Sequence, residues 1–228
     1  MGVSHLADFA RGRRAASATD GDADAAAIAA LAELLGAGGF SGTAPLACRL
    51  IDEFGSLSAL LAAEPEAHAR VAGATPRVGA YLRSVRTAML HALKSEIVGR
   101  SVLSCSDALI AYLKVSLAHT TEEQLRVLFL NARNELLRDE QSFSGSTTAV
   151  AIRPRPIIKR AIELGATAII LVHNHPSGDP SPSADDIDAT SALIAAARPL
   201  EIEVHDHIII GHTTWTSLRT NGQMRRAA

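Results

Sequence analysis

The sequence predicts an α/β (α+β) protein in which a mixed β-sheet with flanking helices follows a small all-α bundle. From Ala25 to about Leu93, apolar residues recur at helical spacing, and glycines close several of these segments. The pattern changes near residue 100, where β-branched apolar runs begin to alternate with amphipathic segments. Strands interleaved with helices around a hairpin favour a mixed sheet.

Residues 23–98 are expected to form a helical domain of four or five short helices. The successive segments read AAAIAALAELLGAG, APLACRLIDEFGS, SLSALLAAEPEAHARVAG and PRVGAYLRSVRTAMLHALKSEIVGR. In the second segment the apolar residues share one helical face, and Gly55 ends it. Residues 1–22 are small, polar and without a periodic pattern, so we expect a disordered N-terminal tail there.

Residues 99–228 are expected to form the sheet domain. A mostly helical segment precedes the apolar run LRVLFL, which predicts a strand, and NARNELLRDEQSFSGS predicts a turn and a second strand that complete a hairpin. IRPRPIIKRAIELGA predicts a helix with proline in its first turn. TAIILVH predicts a strand buried on both faces, SADDIDATSALIAAARPL a helix, and LEIEVHDHIIIG a further strand before a polar tail.

Composition excludes several classes of protein. Of the 228 residues 47 % are hydrophobic and 20 % charged, which is typical of a globular chain, and the net charge of −2 shows no basic excess for strong nucleic-acid binding. Cys48 and Cys105 are too few for a disulfide framework. No apolar run reaches the roughly 18 residues of a membrane span. The N-terminus has no secretory pattern, so we expect a soluble, cytoplasmic protein without membrane contact.

One motif combines several residues that can bind a metal. His173 ends the predicted strand TAIILVH, and His175 points to the same face because side chains alternate along a strand. The proline- and glycine-rich loop PSGDPSP then leads to a helix that begins at Ser183, with Asp186 in its first turn. Two neutral imidazoles and a carboxylate suit zinc, whose catalytic sites use three protein ligands. The spacing H-x-H-x7-S-x-x-D therefore predicts a metal site.

The same residues allow other interpretations. Ser183 and Asp186 also form a helix-starting pair, an N-cap and an acid that faces the helix dipole. Asp179 and Asp185 are alternative ligands if the loop folds differently. The later segment His205-Asp206-His207 repeats the H-x-H spacing, but no acid at a helix start follows it. We expect a partly buried polar cluster there, close to the site, and a structural role for Asn174.

The motif resembles a known family. H-x-H-x7-S-x-x-D is the JAMM, or MPN-plus, metalloprotease signature, and LVHNHPSGDPSPSADD with GATAII before it and HDHIIIG after it resembles the RadC family of bacterial JAMM-like proteins. The resemblance covers about residues 100–225. It implies a JAMM/MPN-like mixed sheet. The helical segment before it is similar to the helix-hairpin-helix region that precedes the JAMM domain in RadC proteins.

The resemblance also implies a function. The expected activity is that of a zinc-dependent metallopeptidase-like hydrolase, in which metal-activated water attacks an amide or isopeptide bond. His173, His175 and Asp186 would be the zinc ligands, and Ser183 would support the oxyanion. A glutamate upstream of a core strand would move the proton. Glu123, just before LRVLFL, fits this position best, Glu122 is second and Glu140 third.

Two departures from the family pattern bear on partners. RadC proteins usually carry V-x-P-R-E before the strand, whereas here Pro156 stands at the glutamate position. The helix-hairpin-helix turn needs G-x-G, and here Gly73 is followed by Thr75. We therefore expect a degenerate motif and at most weak DNA association through residues 23–98. A DNA-repair-associated binding or scaffold protein with a structural metal is the alternative. The motifs specify neither the peptide or protein substrate nor the oligomeric state.

Overall fold

The computed structural model describes residues 20–142 and 152–224, with side chains from residue 24 onward. Within them the chain divides at residue 92 into two compact units. Residues 1–19 of the predicted tail lie outside the described part, and the first helix begins at Asp20. In the described residues no helix is both long and apolar enough to cross a membrane.

The first unit is helical. Its five helices are α1 (Asp20–Ala37), α2 (Thr43–Phe54), α3 (Leu57–Ala62), α4 (Pro65–His68) and α5 (Pro76–Ser95). Gly55 ends α2 in the left-handed conformation (φ 74°), and the Ser56 side chain accepts a hydrogen bond from the Ala59 amide at the start of α3. The core consists mainly of leucine and other aliphatic side chains. These local signals explain why the sequence predicted this region well.

The second unit contains a five-stranded sheet. Its elements are α6 (Ser106–Leu117), β1 (Leu125–Leu130), β2 (Leu136–Ser142), α7 (Pro154–Leu164), β3 (Ala168–Asn174), α8 (Ala184–Ala197), a 3₁₀ turn (Arg198–Leu200), β4 (Glu203–Ile210) and β5 (Trp215–Ser217). The strand order is β2-β1-β3-β4-β5. Strands β3 and β4 are parallel and the other pairs antiparallel. The predicted mixed sheet with flanking helices is confirmed, whereas β5 lies in the segment predicted as a polar tail.

Strand β3 is the centre of the sheet and is buried along its whole length. On one face, Ile169 and Leu171 belong to a core that also includes residues of α7 and α8, among them Leu193 and Ala197. His173 continues this face, because side chains alternate with period two. The face of β3 that carries His173 is therefore the face covered by α8.

Strand β4 contains an extra residue opposite β3. Ile169 pairs with Val204, but its neighbour Ile170 pairs with Asp206, so His205 has no partner on β3. Such a bulge changes which face the following side chains occupy. His207 consequently pairs with Leu171 and points to the α8 face, while His205 and Asp206 lie together beside Ile170 on the other face. The H-x-H spacing of this strand does not place its two histidines on one face.

Candidate metal centre

The end of β3 and the start of α8 bring the predicted ligands together. His173 is the second-last residue of β3 and is 2 % exposed, and the His175 amide continues the strand pairing by donating to the Ile210 carbonyl (3.0 Å). Nε2 of His173 lies 2.8 Å from Nε2 of His175. The Asp186 carboxylate lies 3.4 Å from the first nitrogen and 3.6 Å from the second. The atoms that come together are imidazole nitrogens and carboxylate oxygens, which are the atoms by which these side chains bind metals.

Helix α8 delivers Asp186 through its N-terminal cap. The Ser183 side chain accepts a hydrogen bond from the Asp186 amide (3.1 Å), and the Ser183 amide donates to the Asp186 carboxylate (2.8 Å). The Ser183 hydroxyl also donates to Oδ2 of Asp186 (2.6 Å). The predicted cap is thus present, and it leaves the Asp186 carboxylate close to both histidines. To stabilise an oxyanion, this hydroxyl has to rotate away from Asp186.

The carboxylates of the two alternative ligands, Asp179 and Asp185, do not take the place of Asp186. Asp185 is exposed on the first turn of α8. The Asp179 carboxylate accepts hydrogen bonds from the amide and hydroxyl of Ser181, and it is the backbone carbonyl of Asp179 that contacts Nδ1 of His175 (2.8 Å). A carbonyl oxygen only accepts, so Nδ1 of His175 carries the hydrogen. In the neutral ring, Nε2 of His175 therefore presents its lone pair to His173 and Asp186.

Glu123 is the glutamate that the structure brings to the histidines. One ligand atom each of Glu123, His173 and His175 lie within 4.8 Å of one another. The reason is the sheet register: Leu125 pairs with His173 in an antiparallel ladder, so residue 123 extends toward residue 175. Burial raises the pKa of Glu123, and the nearby Asp186 raises it further, although His175 acts in the opposite direction.

The other two glutamates lie elsewhere. Glu122 is exposed beside Glu123. Glu140, on β2, forms a double hydrogen bond with Arg160 of α7 (2.6 and 2.9 Å), and these contacts hold its pKa below the usual range. It is bound as an ion pair and is not among the residues gathered at the histidines.

Asn174 fixes the backbone on both sides of Glu123. Its side-chain oxygen accepts from the Gln124 amide (2.9 Å), and its side-chain nitrogen donates to the Glu122 carbonyl (3.1 Å). Asn174 is 1 % exposed and follows His173 directly. Its expected structural role therefore has a specific content, since it holds the segment that carries Glu123 against the end of β3.

The electrostatics of the cluster favour a cation. Burial lowers the pKa of His173 to about 4, so this ring is neutral at pH 7. Burial alone would raise the pKa of Asp186, but His175 and Ser183 outweigh it and hold that pKa well below its usual range. The neighbouring Asp186 raises the pKa of His175. When both rings present lone pairs, the carboxylate and the imidazole nitrogens repel one another unless a cation, either a proton on His175 or a metal ion, lies among them. Two imidazoles and one carboxylate match the three-ligand set of catalytic zinc.

The comparison with protein families agrees with this geometry. Residues 103–223 match the family model of the RadC-like JAB domain. The chain belongs to the RadC family. The match covers more than half of the chain and spans every strand of the sheet, together with His173, His175, Ser183 and Asp186. The resemblance to RadC proteins inferred from these residues is thereby confirmed.

Two residues of this RadC-family site were not predicted as part of it. Nε2 of His207 lies 2.7 Å from Nδ1 of His173, and Nδ1 of His207 lies 2.6 Å from the Thr190 hydroxyl. His207 is fully buried, and burial lowers its pKa to about 3. Thr190 could have been found, because it is four residues after Asp186 and thus on the same helical face. For His207 the sequence indicated that the segment is close to the site but not which face the side chain occupies, because the bulge that turns it toward His173 has no sequence signal.

The predicted polar cluster around residues 205–207 is confirmed for His205 and Asp206. His205 contacts Asn134 (2.6 Å), and Asp206 accepts from the Ser217 hydroxyl (2.6 Å) and from the amides of His207 and Arg219. His207 contacts His173, so it is close to the candidate site, as expected for this segment. It lies on the opposite face from the rest of the cluster.

Proposed function

We propose that this RadC-family protein is a metal-dependent hydrolase of amide or isopeptide bonds, with zinc as the metal. His173, His175 and Asp186 would hold the ion. When bound by such a ligand set, zinc acts as a Lewis acid toward a water molecule and a carbonyl oxygen. One observation carries the proposal. The side chains of His173, His175 and Asp186 lie within a few ångströms of one another, and the partly buried carboxylate of Glu123 lies beside the two histidines.

Glu123 is the residue proposed to move the proton. Hydrolysis forms a bond from water oxygen to the carbonyl carbon and breaks the carbon–nitrogen bond, so one water proton must reach the leaving nitrogen. A carboxylate that is not needed as a ligand can accept this proton and then donate it. Partial burial and the raised pKa of Glu123 suit this exchange, because they bring its proton affinity closer to neutral pH.

Ser183 is proposed to assist at the carbonyl oxygen. Its hydroxyl lies at the start of α8, next to Asp186, and is exposed to solvent. Rotation about its Cβ–Oγ bond releases the hydrogen from Asp186 and allows it to be donated to a developing oxyanion. The positive end of α8 lies at the same place and favours negative charge there.

The first test is metal content, measured by elemental mass spectrometry on the full chain and on His175→Ala and Asp186→Ala. We expect about one zinc per chain in the wild type and little in either variant. A wild-type protein that takes up no metal, even after incubation with zinc, would contradict the proposed site.

The second test is turnover on libraries of peptides and isopeptide-linked peptides. Glu123→Gln should retain zinc and lose turnover by about 10²- to 10⁴-fold, the usual contribution of general acid–base catalysis. Glu122→Gln is the matched control, because it removes a neighbouring exposed carboxylate, and it should behave like the wild type. Zinc-loaded wild type that cleaves no member of either library would count against the catalytic part of the proposal.

A further inference from the structure

The ligand His173 belongs to a chain of buried hydrogen bonds that continues away from the proposed metal. Its Nδ1 contacts His207, His207 contacts Thr190, and the Thr190 hydroxyl contacts the Asp186 carbonyl (2.6 Å). Thr190 is 1 % exposed and His207 fully buried, so water does not compete for these contacts. The chain therefore begins at one ligand, His173, and ends at the backbone of another, Asp186.

The direction of these hydrogen bonds follows from the last acceptor in the series, the Asp186 carbonyl. The Asp186 carbonyl can only accept, so the single hydroxyl hydrogen of Thr190 is donated to it. The Thr190 oxygen must then accept from His207, which places the hydrogen of the His207 ring on Nδ1. The His207 ring is fully buried, and its two nitrogens contact the Thr190 hydroxyl and the His173 ring, neither of which is an anion. With its one hydrogen on Nδ1, the ring has a lone pair on Nε2, which accepts from Nδ1 of His173. Nε2 of His173 is left with a lone pair.

We propose that Thr190 and His207 are positioning residues that set the tautomer of His173, so that its Nε2 presents a lone pair to the metal. This inference rests on the proposed metal site. The reverse direction of the chain would place the hydrogen of His173 on Nε2, where it would exclude a metal ion. Ligand histidines are commonly oriented by a partner of their other nitrogen. Here that partner is a second neutral histidine, whose own tautomer is fixed by a helix carbonyl through a threonine hydroxyl.

Nitrogen-detected NMR of the imidazole rings in the metal-free full-length protein tests the direction itself. We expect the hydrogen of His207 on Nδ1 and that of His173 on Nδ1. A hydrogen on Nε2 of either ring would overturn the proposal. This measurement does not depend on metal uptake or on turnover, so its failure is distinguishable from failure of the proposed function.

Metal affinity of Thr190 variants tests the consequence. Thr190→Val keeps the shape of the side chain but gives His207 no acceptor for Nδ1–H, whereas Thr190→Ser keeps the hydroxyl. In competition with a chelator, Thr190→Val should bind zinc about 10- to 100-fold more weakly, the usual effect of losing an outer hydrogen-bond partner, and Thr190→Ser should match the wild type. Equal affinities for all three proteins would overturn the proposal. So would equal losses in both variants, because a loss shared by Ser would come from packing.

His207→Gln and His207→Leu provide an independent pair. Glutamine can offer its side-chain oxygen to Nδ1–H of His173, whereas leucine cannot. Zinc affinity retained better in His207→Gln than in His207→Leu by about tenfold or more would support the proposal. An equal loss in two variants that unfold at the same temperature would overturn it. The melting temperature of each metal-free variant identifies one that has failed to fold, and the Thr190 pair then decides.

Discussion

Two buried polar networks on opposite faces of the sheet differ in how they end. On the α6 face, Arg126 of β1 donates two hydrogen bonds to Asp139 of β2 (2.9 and 2.8 Å) and one to Ser116 (2.9 Å), and Tyr112 also donates to Asp139. On the α8 face, the chain from Thr190 through His207 ends at His173 and His175.

The difference separates a network whose polar atoms are all paired from one that is able to bind a cation. Both oxygens of Asp139 are paired, and its side chain is fully buried, so this network is closed. Burial and the Asp139 carboxylate raise the pKa of Tyr112, which therefore stays neutral as a donor. The histidine network instead ends in acceptor atoms that lie close together on partly exposed side chains, since His175 is 19 % and Asp186 14 % exposed. At the partly exposed end of this network, Nε2 of His173 and Nε2 of His175 present lone pairs, and such atoms can bind a cation.

Breaking the closed network should have the largest effect on stability and none on the metal. Asp139→Ala leaves the Arg126 guanidinium without its partner, and we expect a loss of about 3–5 kcal/mol in the free energy of unfolding. Urea unfolding measures this loss. Asp139→Asn, which keeps one acceptor oxygen, should lose less. If folded Asp139→Ala lost its zinc, the two networks would have to be coupled.

Removing the metal should affect only the open network. A ligand that binds the folded state alone stabilises it by RT ln(1 + [L]/Kd), about 3 kcal/mol when free zinc is roughly 100 times Kd. Chelation should therefore lower the melting temperature of the wild type. His175→Ala is the control, and chelator should leave its melting temperature unchanged. An equal decrease in both proteins would point to metal bound elsewhere.

Breaking the hydrogen bonds by which Asn174 holds the Glu123 segment should have a smaller effect on stability. Asn174→Asp keeps the acceptor for the Gln124 amide but places an anionic oxygen against the Glu122 carbonyl. We expect a loss of about 1–2 kcal/mol in the free energy of unfolding, with zinc content unchanged. Turnover should fall further than this loss of stability explains, because Glu123 is displaced. Turnover equal to that of the wild type would remove the positioning role given to Asn174.

The ion pair of Glu140 should have the smallest effect and a defined pH dependence. Arg160 lowers the pKa of Glu140 in the folded protein, so its stabilisation is fully present above the ordinary glutamate pKa and is lost as pH falls through the lower, folded value. Since about a third of the side chain is exposed, we expect Glu140→Gln to cost about 0.5 kcal/mol at pH 7 and nothing in strong acid. Turnover should not change, in contrast to Glu123→Gln.

Sequence patterns predicted those parts of the molecule that depend on local signals. The glycine and proline boundaries of the helices, the β1–β2 hairpin and the buried strand β3 all follow from periodicity and turn residues. His173, His175 and Asp186 could be chosen as candidate ligands because strand, loop and helix start follow one another in the chain, and their role as metal ligands stays a prediction. The predicted DNA association of residues 23–98 and the predicted domain boundary at residue 98 stay predictions.

The remainder depends on contacts between distant segments. The family resemblance ranked Glu123 above Glu140, but the physical reason is the sheet register, which places residue 123 beside His175 and leaves Glu140 opposite Val127 on the neighbouring strand. The network of Arg126, Asp139 and Tyr112 joins three elements whose sequences give no sign of one another. Strand β5 has only three residues, too short for an alternating pattern to be recognised.

The bulge in β4 makes the strand asymmetric toward changes in its length. His205 is the one residue of β4 skipped in the pairing with β3, so its deletion would leave Val204, Asp206 and His207 on the faces they already occupy. The deletion would sacrifice the contact of His205 with Asn134 but keep His207 directed at His173. An insertion between Asp206 and His207 would instead reverse every later side chain. The protein should therefore tolerate the deletion of residue 205 far better than the insertion of one residue between Asp206 and His207.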